Sequence, residues 1–592
     1  MNSQDVPMMF RAQIGGRCQI QRVDTQRTRN DEYQDAEIWV DEWMAVFDYY
    51  SNKDSKNTLK LPGFGSQVKL WEYKIKWRLV SNSGQDEGVI RPIIGARGFP
   101  YFSGASMKGA FIRACKQKYG KEQGKKEAEK YCGKKLSNGS SEPGILRFHG
   151  AYPINMDWTE NPESLVDVIH SQQEKQVIQD KITNANSQIS LYQSTLKFGF
   201  SSNKNLDDSE WRKIKEIWEI TLANGLGSRV SAGYGYFIFL DNTLDNTEKN
   251  RFINRSDLLL SIKLKGQGAA SKLVNKITEF RPNMFKAALR GHTLRLLAGM
   301  TDERTAKDIT NQLWGGFGKR DSIVGKLGVD FNFDSSQIIS TETHPGHYEL
   351  SEGTLNIFCM HPQINDADRK ILENTAKALV KFAMLFGGFG KSWRRVCHKE
   401  FDRTYFDDYP EKVIGCHWQY LNVSEYYSVD NLEVDIPKYI QKIRDELRVW
   451  IDTKPQNKRI ERDRNLPNQN NDIVYWREAW YSPKVEVWAH FAKNGKSQAI
   501  RWFHDSYNGH DTIKASRNSN IPNTLAGSMG YTGRIWHRMY PHFITNNQRE
   551  IVRGEGYVEI LTIFPDESDE MKNETEKFLN FLRDKTEFIK VC

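Results

Sequence analysis

Two short segments join a tight turn to a helix whose first turns carry cations. The first is PYFSGASMKG at 100–109, with Ser106 and Lys108 near the helix start and Arg113 further along. The second is FRPNMFK at 280–286, with Lys286 and then Arg290. Backbone N–H groups at a helix start, with a lysine close by, are suited to holding a phosphate. Two glycine-rich loops carry a similar implication, GLGSRVSAGYGYF at 225–237 and FGGFGKSWRRV at 386–396. Glycine lets a backbone approach a phosphate closely, and Arg229, Lys391, Arg394 and Arg395 supply charge. Tyr234 and Trp393 in these loops offer ring faces for stacking bases. The competing readings are structural: an exposed helix lysine, and a helix cap followed by a turn. The lysines from Lys116 to Lys135 are interleaved with Glu122, Glu127 and Glu129, which suits a solvated helix face as well as an RNA flank.

Other chemistry is less well placed. Cys397-His398 and Cys416-His417 could together supply four zinc ligands. The spacing lacks a standard Cys-x-x-Cys pair and adjacent ligands are awkward sterically, so buried cysteines and surface histidines are the favoured reading. His149, His170, His292 and His537 could each do acid–base work, but no motif places them.

The elements that must position these residues follow from periodicity. Residues 1–66 read as an arm, with a strand from Phe10 to Val23. Val68 to Val80 alternates as a strand, and Gly104 to Lys118 is helical. Strands follow at Ile145 to Tyr152 and Leu191 to Phe200, then a helix from Ser209 to Ala223 and a strand from Tyr236 to Leu240. This is the strand–helix–strand–strand–helix–strand order of the ferredoxin-like split βαβ fold, whose open sheet face or edge loops are free to bind. The order restarts at Asp257, with a strand from Leu258 to Lys265 and a helix from Asn283 to Met300. Strands from Lys326 to Phe333 and Tyr348 to Met360 and a helix from Asp366 to Leu385 follow. The expected division is an arm at 1–66, a domain at 67–250 and a second domain at 251–592. The second carries an insertion at about 400–530 and takes its last strand after it. Residues 454–472 read as a polar linker or loop, and a closing helix runs from about Asp566 to Arg583.

The composition narrows the class. The chain has 592 residues, with 84 Lys and Arg against 75 Asp and Glu, a formal charge of +9. At about 150 residues per domain, that length suggests several domains. The charge is informative only where it gathers on one surface. Aromatic residues are 12% of the chain, too many for a disordered polymer. No apolar run approaches the ~20 residues needed to cross a bilayer, and the opening MNSQDVPMMFRAQIGG lacks the features of a secretory leader. Seven scattered cysteines make no disulfide framework. A multi-domain, cytoplasmic protein with no membrane partner is the expectation.

PYFSGASMKGAFIRA at 100–114 resembles the signature of the RAMP superfamily, whose members build type III CRISPR effector complexes. GLGSRVSAGYGYF resembles that family's glycine-rich loop, and RFHGAYPI at 147–154 matches a strand found in several members. The two main motifs stand in the family's order, about 120 residues apart. The resemblance covers about 67–240 well and about 257–396 less closely, and GRIWHRMYP at 533–541 is similar to larger members. It implies an α+β chain of two ferredoxin-like (RRM-like) RAMP domains in tandem, a fused backbone subunit as in variant type III-D systems. Such a subunit binds guide RNA (crRNA) and holds it for pairing with target RNA. Its partners would be further RAMP subunits and the large polymerase-like subunit. Specificity would then reside in base pairing.

The resemblance also implies a catalytic residue. Asp86-Glu87-Gly88-Val89-Ile90-Arg91 matches the D-x-x-V-I-R context of the aspartate that cuts target RNA in active members. The reaction would be attack of a ribose 2′-hydroxyl on the adjacent phosphate, with Mg2+ or Mn2+ as the usual divalent metal. By default an aspartate in Ser-Gly-Gln-Asp-Glu-Gly is a turn residue. Two departures stand out. Arg113 lies five residues after Lys108 where the family has four, whereas Lys286 and Arg290 keep the spacing. The second half has no aspartate in the matching loop, Gly266 to Lys272, so it is expected to bind without cutting. The alternatives are a structural cap without an active site, and a stand-alone RAMP-type endoribonuclease that processes guide precursors. The latter needs a general acid or base histidine near the first glycine-rich loop.

Overall fold

The computed structural model describes residues 35–51, 61–81, 84–86, 89–169, 186–238, 257–273, 278–317, 322–334, 338–340, 346–361, 364–404, 413–453, 477–514, 525–528, 531–568 and 571–592. The strand expected from Phe10 to Val23 and the linker at 454–472 lie outside them. The described residues fall into two compact units, divided near residue 257.

In the first unit, β1 (Lys69–Ile75) is followed by the hairpin strands β2 (Gly84–Asp86) and β3 (Val89–Arg91). Helices α2 (Gly104–Tyr119) and α3 (Lys121–Cys132) lead to β4 (Leu146–Pro153). Then come β5 (Val166–Ile169), β6 (Asn186–Ile189), β7 (Thr195–Ser202), α4 (Asp208–Ala223) and β8 (Phe237–Ile238). The main sheet is antiparallel in the order β8-β1-β7-β4. Numbering its four strands along the chain, this is 4-1-3-2, the split βαβ arrangement read from the element order. Apolar alternation supports it: Tyr73, Ile75, Leu196, Phe198 and Phe200 are buried with Trp218 of α4 and Phe111 of α2. Each such aromatic contributes about 2–3 kcal/mol by leaving water. Helix α4 starts where the Asp207 carboxylate accepts the Glu210 N–H at 2.7 Å, and α2 stops at Gly120, whose φ is +79°. Part of the expected arm belongs to this core. Helix α1 (Asp35–Ser51) buries Trp39 against Trp43, Trp43 against Trp158, and Phe47 against Phe99 and Trp158, and the Trp43 indole N–H reaches the Gly98 carbonyl at 2.7 Å. A second, small sheet has the order β2-β3-β6-β5.

In the second unit, β9 (Leu258–Ala269) is followed by α5 (Asn283–Ala298), α6 (Glu303–Trp314) and β10 (Leu327–Phe333). After β11 (His347–Cys359) and α7 (Asp366–Leu385) comes β12 (Cys416–Tyr420). The sheet order β10-β11-β9-β12 is again 2-3-1-4, the same path read from its other edge. The fourth strand therefore lies inside the segment read as an insertion at 400–530, not after it. CHWQY is too short for an alternation to stand out, and its cysteine and histidine drew a metal reading instead.

Beyond α8 (Leu432–Asp452) the chain forms a third sheet. Its elements are β13 (Glu486–Ala492), the short α9 (Ala499–Trp502), β14 (Ile535–Thr545), β15 (Ile551–Ile563), α10 (Lys572–Lys585) and β16 (Ile589–Lys590). The order β14-β15-β13-β16 repeats 2-3-1-4. One face takes α9 and α10, through Trp488, Phe503, Phe578 and Leu582, while Val487, Trp536 and Tyr540 on the other face join the core of the second sheet and its helices. The closing helix begins at Lys572, a few residues later than expected. Among the described residues no helix is long and apolar enough to cross a membrane.

Candidate nucleic-acid interface

Lys108 stands on the exposed side of α2, in a cleft of about 310 Å³ lined also by Gly104, Ala105, Gly144, Arg147 and Phe148. The cleft exists because α2 presses hard on β4. A Cβ at Gly104 would lie 2.0 Å from the Phe148 carbonyl oxygen, so no other residue fits there without moving the helix. The Ser103 hydroxyl caps the helix by accepting the Ser106 N–H at 3.2 Å, and Ser106 and Arg113 are exposed. Arg147 is exposed on β4, its Nη1 donating to the Gly144 and Leu146 carbonyls at 2.8 and 3.1 Å. Two cations thus border one helix N-terminus in the first unit.

Asp86 is the last residue of β2. The register pairs it with Val89, so its backbone is at the tip of the β2–β3 hairpin. That hairpin is tied through β3 and β6 to β5, which carries the buried Asp167.

The glycine-rich loop of the first unit is built differently from a stacking loop. Tyr234 is 1% exposed, and its hydroxyl donates to Asp167 Oδ2 at 2.7 Å while its ring packs 4.6 Å from that of Trp77. The stacking role expected of Tyr234 is corrected: its ring is core, and the residue anchors the loop to the small sheet. Gly235, at φ +75°, donates its N–H to the Arg78 carbonyl at 2.7 Å, and a Cβ there would sit 1.8 Å from the Leu226 carbonyl oxygen. Arg229, half-buried with φ +61°, precedes the turn at 230–232.

The corresponding loop in the second unit is more deeply internal. Trp393 is 3% exposed, 4.9 Å from the Trp536 ring, so its stacking role is corrected as well. The Arg394 guanidinium makes a bidentate pair with the buried Glu478 carboxylate at 2.6 and 2.8 Å. Arg295 reaches the same carboxylate at 2.6 Å. Burial raises the Glu478 acid, but Arg394 and Arg295 outweigh it and hold the group well below the usual carboxylate range. Arg395 donates to the Ile535 and Ala526 carbonyls and lies 3.9 Å over the Phe503 ring. Burial and then Arg394 and Arg538 bring its pKa down to about 9. Arg290, 6% exposed, donates to Asn311 Oδ1 at 2.7 Å, which gives it a packing role rather than the phosphate contact expected of it. Of the residues singled out in this half, Lys391 is exposed and Lys286 half-buried.

The four residues weighed as zinc ligands turn to other partners. His398 Nδ1 faces the Val396 carbonyl at 2.9 Å and its Nε2 faces His504 at 3.0 Å. His417 Nε2 lies 2.7 Å from the Gln419 amide. Burial lifts the Cys397 thiol to about 12 and raises that of Cys416. Among the described residues no three His, Cys, Asp or Glu side chains gather as a metal site. Asp167 and Glu478 escaped the sequence reading because their partners, Tyr234 and Arg394, lie 67 and 84 residues away along the chain. Arg147 had a signal, its outward position in the alternation of β4.

Comparison with known proteins gives one family match: the RAMP superfamily model matches residues 83–238. No curated protein matches the chain. Solved structures that are similar in part include these three. One is a chain of a type III-B Cmr-beta complex bound to cognate target RNA, 19% identical with a TM-score of 0.22, covering 35% of this chain and 75% of that one. Another is a chain of a type IV-B CRISPR complex, 16% identical with a TM-score of 0.22, covering 30% and 92%. The third is Cmr1 from Pyrococcus furiosus in its apo form, 11% identical with a TM-score of 0.29, covering 56% and 98%.

Proposed function

We propose, from the premise that residues 83–238 belong to the RAMP superfamily, that this chain is a guide-RNA-binding subunit of a CRISPR effector complex. The observation that carries the reading is the Lys108–Arg147 cleft at the start of α2, which lies inside the matched region. It joins helix N–H groups to two cations, a combination suited to RNA phosphates. Its partners in this reading are the guide RNA, the target RNA and further effector subunits. The three sheets of one strand order are read as three RAMP-like folds, of which the first supplies the nucleic-acid surface.

Asp86 is the candidate for target cleavage. A carboxylate at a hairpin tip would take the proton of a ribose 2′-hydroxyl as its oxygen attacks the adjacent phosphorus. The bond from phosphorus to the 5′-oxygen then breaks and that oxygen takes a proton from solvent, giving a 2′,3′-cyclic phosphate and a 5′-hydroxyl end. A divalent ion of the kind the family resemblance implies, Mg2+ or Mn2+, would supply positive charge to the phosphate oxygens when bound. The experiment is Asp86→Ala in the assembled complex with a matched target. The expected result is loss of the cut assigned to this subunit with guide binding unchanged. An unchanged cleavage pattern would remove Asp86 from the mechanism.

A further inference from the structure

We propose that the open face of the first sheet is a base-stacking surface on which Phe64 and Tyr152 hold an unpaired nucleobase of single-stranded RNA. The proposal rests on the RNA-binding reading but concerns a different surface from the Lys108 cleft. Helices cover one face of this sheet, through Tyr73, Phe198 and Phe200. Alternation sends Leu70, Glu72, Lys74, Lys197, Ser201 and Tyr152 to the other face.

At the centre of that face Gly199 of β7 opposes Gly150 of β4. The pair leaves a trough that seats two rings. A Cβ at Gly199 would lie 2.9 Å from the Phe64 ring, and one at Gly150 would lie 2.2 Å from that of Tyr101. Tyr101 and Tyr152 then sit 4.9 Å apart at 37°, and Phe64 is 6.0 Å from Tyr152 and 6.4 Å from His149. Their polar ends are already satisfied. The Tyr101 hydroxyl donates to the His149 carbonyl at 3.0 Å, the Tyr152 oxygen accepts the Ala96 N–H at 3.1 Å, and the His149 ring meets the Ser201 hydroxyl at 2.7 Å. All four rings remain half-buried. They are fixed in place with surface left uncovered, so stacking a base on them orders little that is not ordered already.

Charge on the face matches an RNA backbone. Among the described residues of its strands, Lys74, Lys197 and Arg147 stand against one acid, Glu72, which Lys197 pairs at 3.2 Å. Arg147 also lines the Lys108 cleft, so the strand that carries Tyr152 leads from a phosphate site to a base site. Of the exposed aliphatics here, Leu70 at 40% lies beside Gly199 and so next to the Phe64 ring, while Ile238 at 44% stands in the row of Lys74. The combination of ring faces with a cationic border is the chemistry of single-strand binding.

The test uses the full chain and a short single-stranded RNA containing photoactivatable 4-thiouridine. Cross-links are expected on the peptides holding Phe64 or Tyr152. Phe64→Leu keeps an apolar group over Gly199 but removes the ring face, so affinity should fall about five- to tenfold with thermal stability and salt dependence unchanged. RNA bound with wild-type affinity by Phe64→Leu, with cross-links confined to other peptides, would overturn the proposal while leaving the RNA-binding reading intact. Protection of this face by another protein subunit and not by RNA would overturn it equally. Absence of RNA binding by the wild-type chain would remove both.

Discussion

Arg394 and Lys108 show how residues of similar promise come to do opposite work. Both are cations beside glycine-rich or helix-start motifs, yet Lys108 is exposed in a cleft and Arg394 is locked on Glu478. Sequence reading could locate the motifs but not the side on which each charge would finish, because that depends on partners far along the chain. Glu478 is 84 residues from Arg394, and Asp167 is 67 residues from Tyr234. The two glycine-rich loops are therefore junctions in which arginine and tyrosine brace the fold. Arg394→Ala should lower stability by about 3 kcal/mol, because it leaves a buried carboxylate with half its compensation. Guide RNA affinity of the protein that remains folded should be unchanged. Calorimetry beside a binding isotherm separates these effects, and a large drop in affinity with unaltered melting would return Arg394 to the RNA surface.

At the scale of elements, the first four-strand order was legible because its strands alternate cleanly and its helices have capped ends. The fourth strand of the second sheet was hidden by its length of five residues. The third sheet was hidden because α9 has only four residues, giving no helical period between β13 and β14. The junction that matters most for the site is that of α2 and β4, where Gly104 allows the helix start to meet the strand. Gly104→Ala would put a methyl carbon 2.0 Å from a carbonyl oxygen. The change should shift α2 and cost about 1–3 kcal/mol by overpacking. Backbone hydrogen exchange in 104–110 reports it: faster exchange there is expected, and wild-type protection together with wild-type melting would show that the helix and strand are not tightly apposed.

Across the whole chain, buried histidines make stability depend on pH. Burial, with neighbouring arginines, holds His292 at about 3, and burial with Arg538 and Lys265 does the same for His417. Both stay neutral in the folded second unit, whereas the unfolded chain takes up their protons below about 6.5, so stability is lost as pH falls through that value. Glu400, raised to about 7 chiefly by burial, works the other way between about 4.5 and 7, because its folded form keeps a proton that the unfolded chain releases. Two histidines against one glutamate leave about one net proton, or about 1.4 kcal/mol per pH unit. His398 and His537, also lowered by burial, add in the same direction. The melting temperature should therefore fall steadily from pH 6.5 towards pH 5; a flat profile would show that these side chains are hydrated.

The formal charge of +9 says little about RNA as a sum. Its placement at the Lys108–Arg147 cleft is what the functional reading depends on. That placement is tested by the affinity of the full chain for single-stranded guide RNA between about 50 and about 200 mM salt, for the wild type and Lys108→Ala. Binding should weaken steeply with salt, and the slope should be shallower in the variant, by about 0.7 for each phosphate that is no longer neutralised. Identical affinities and slopes for the two proteins would refute the assignment of the cleft, and no binding at low salt would refute the RNA-binding function itself.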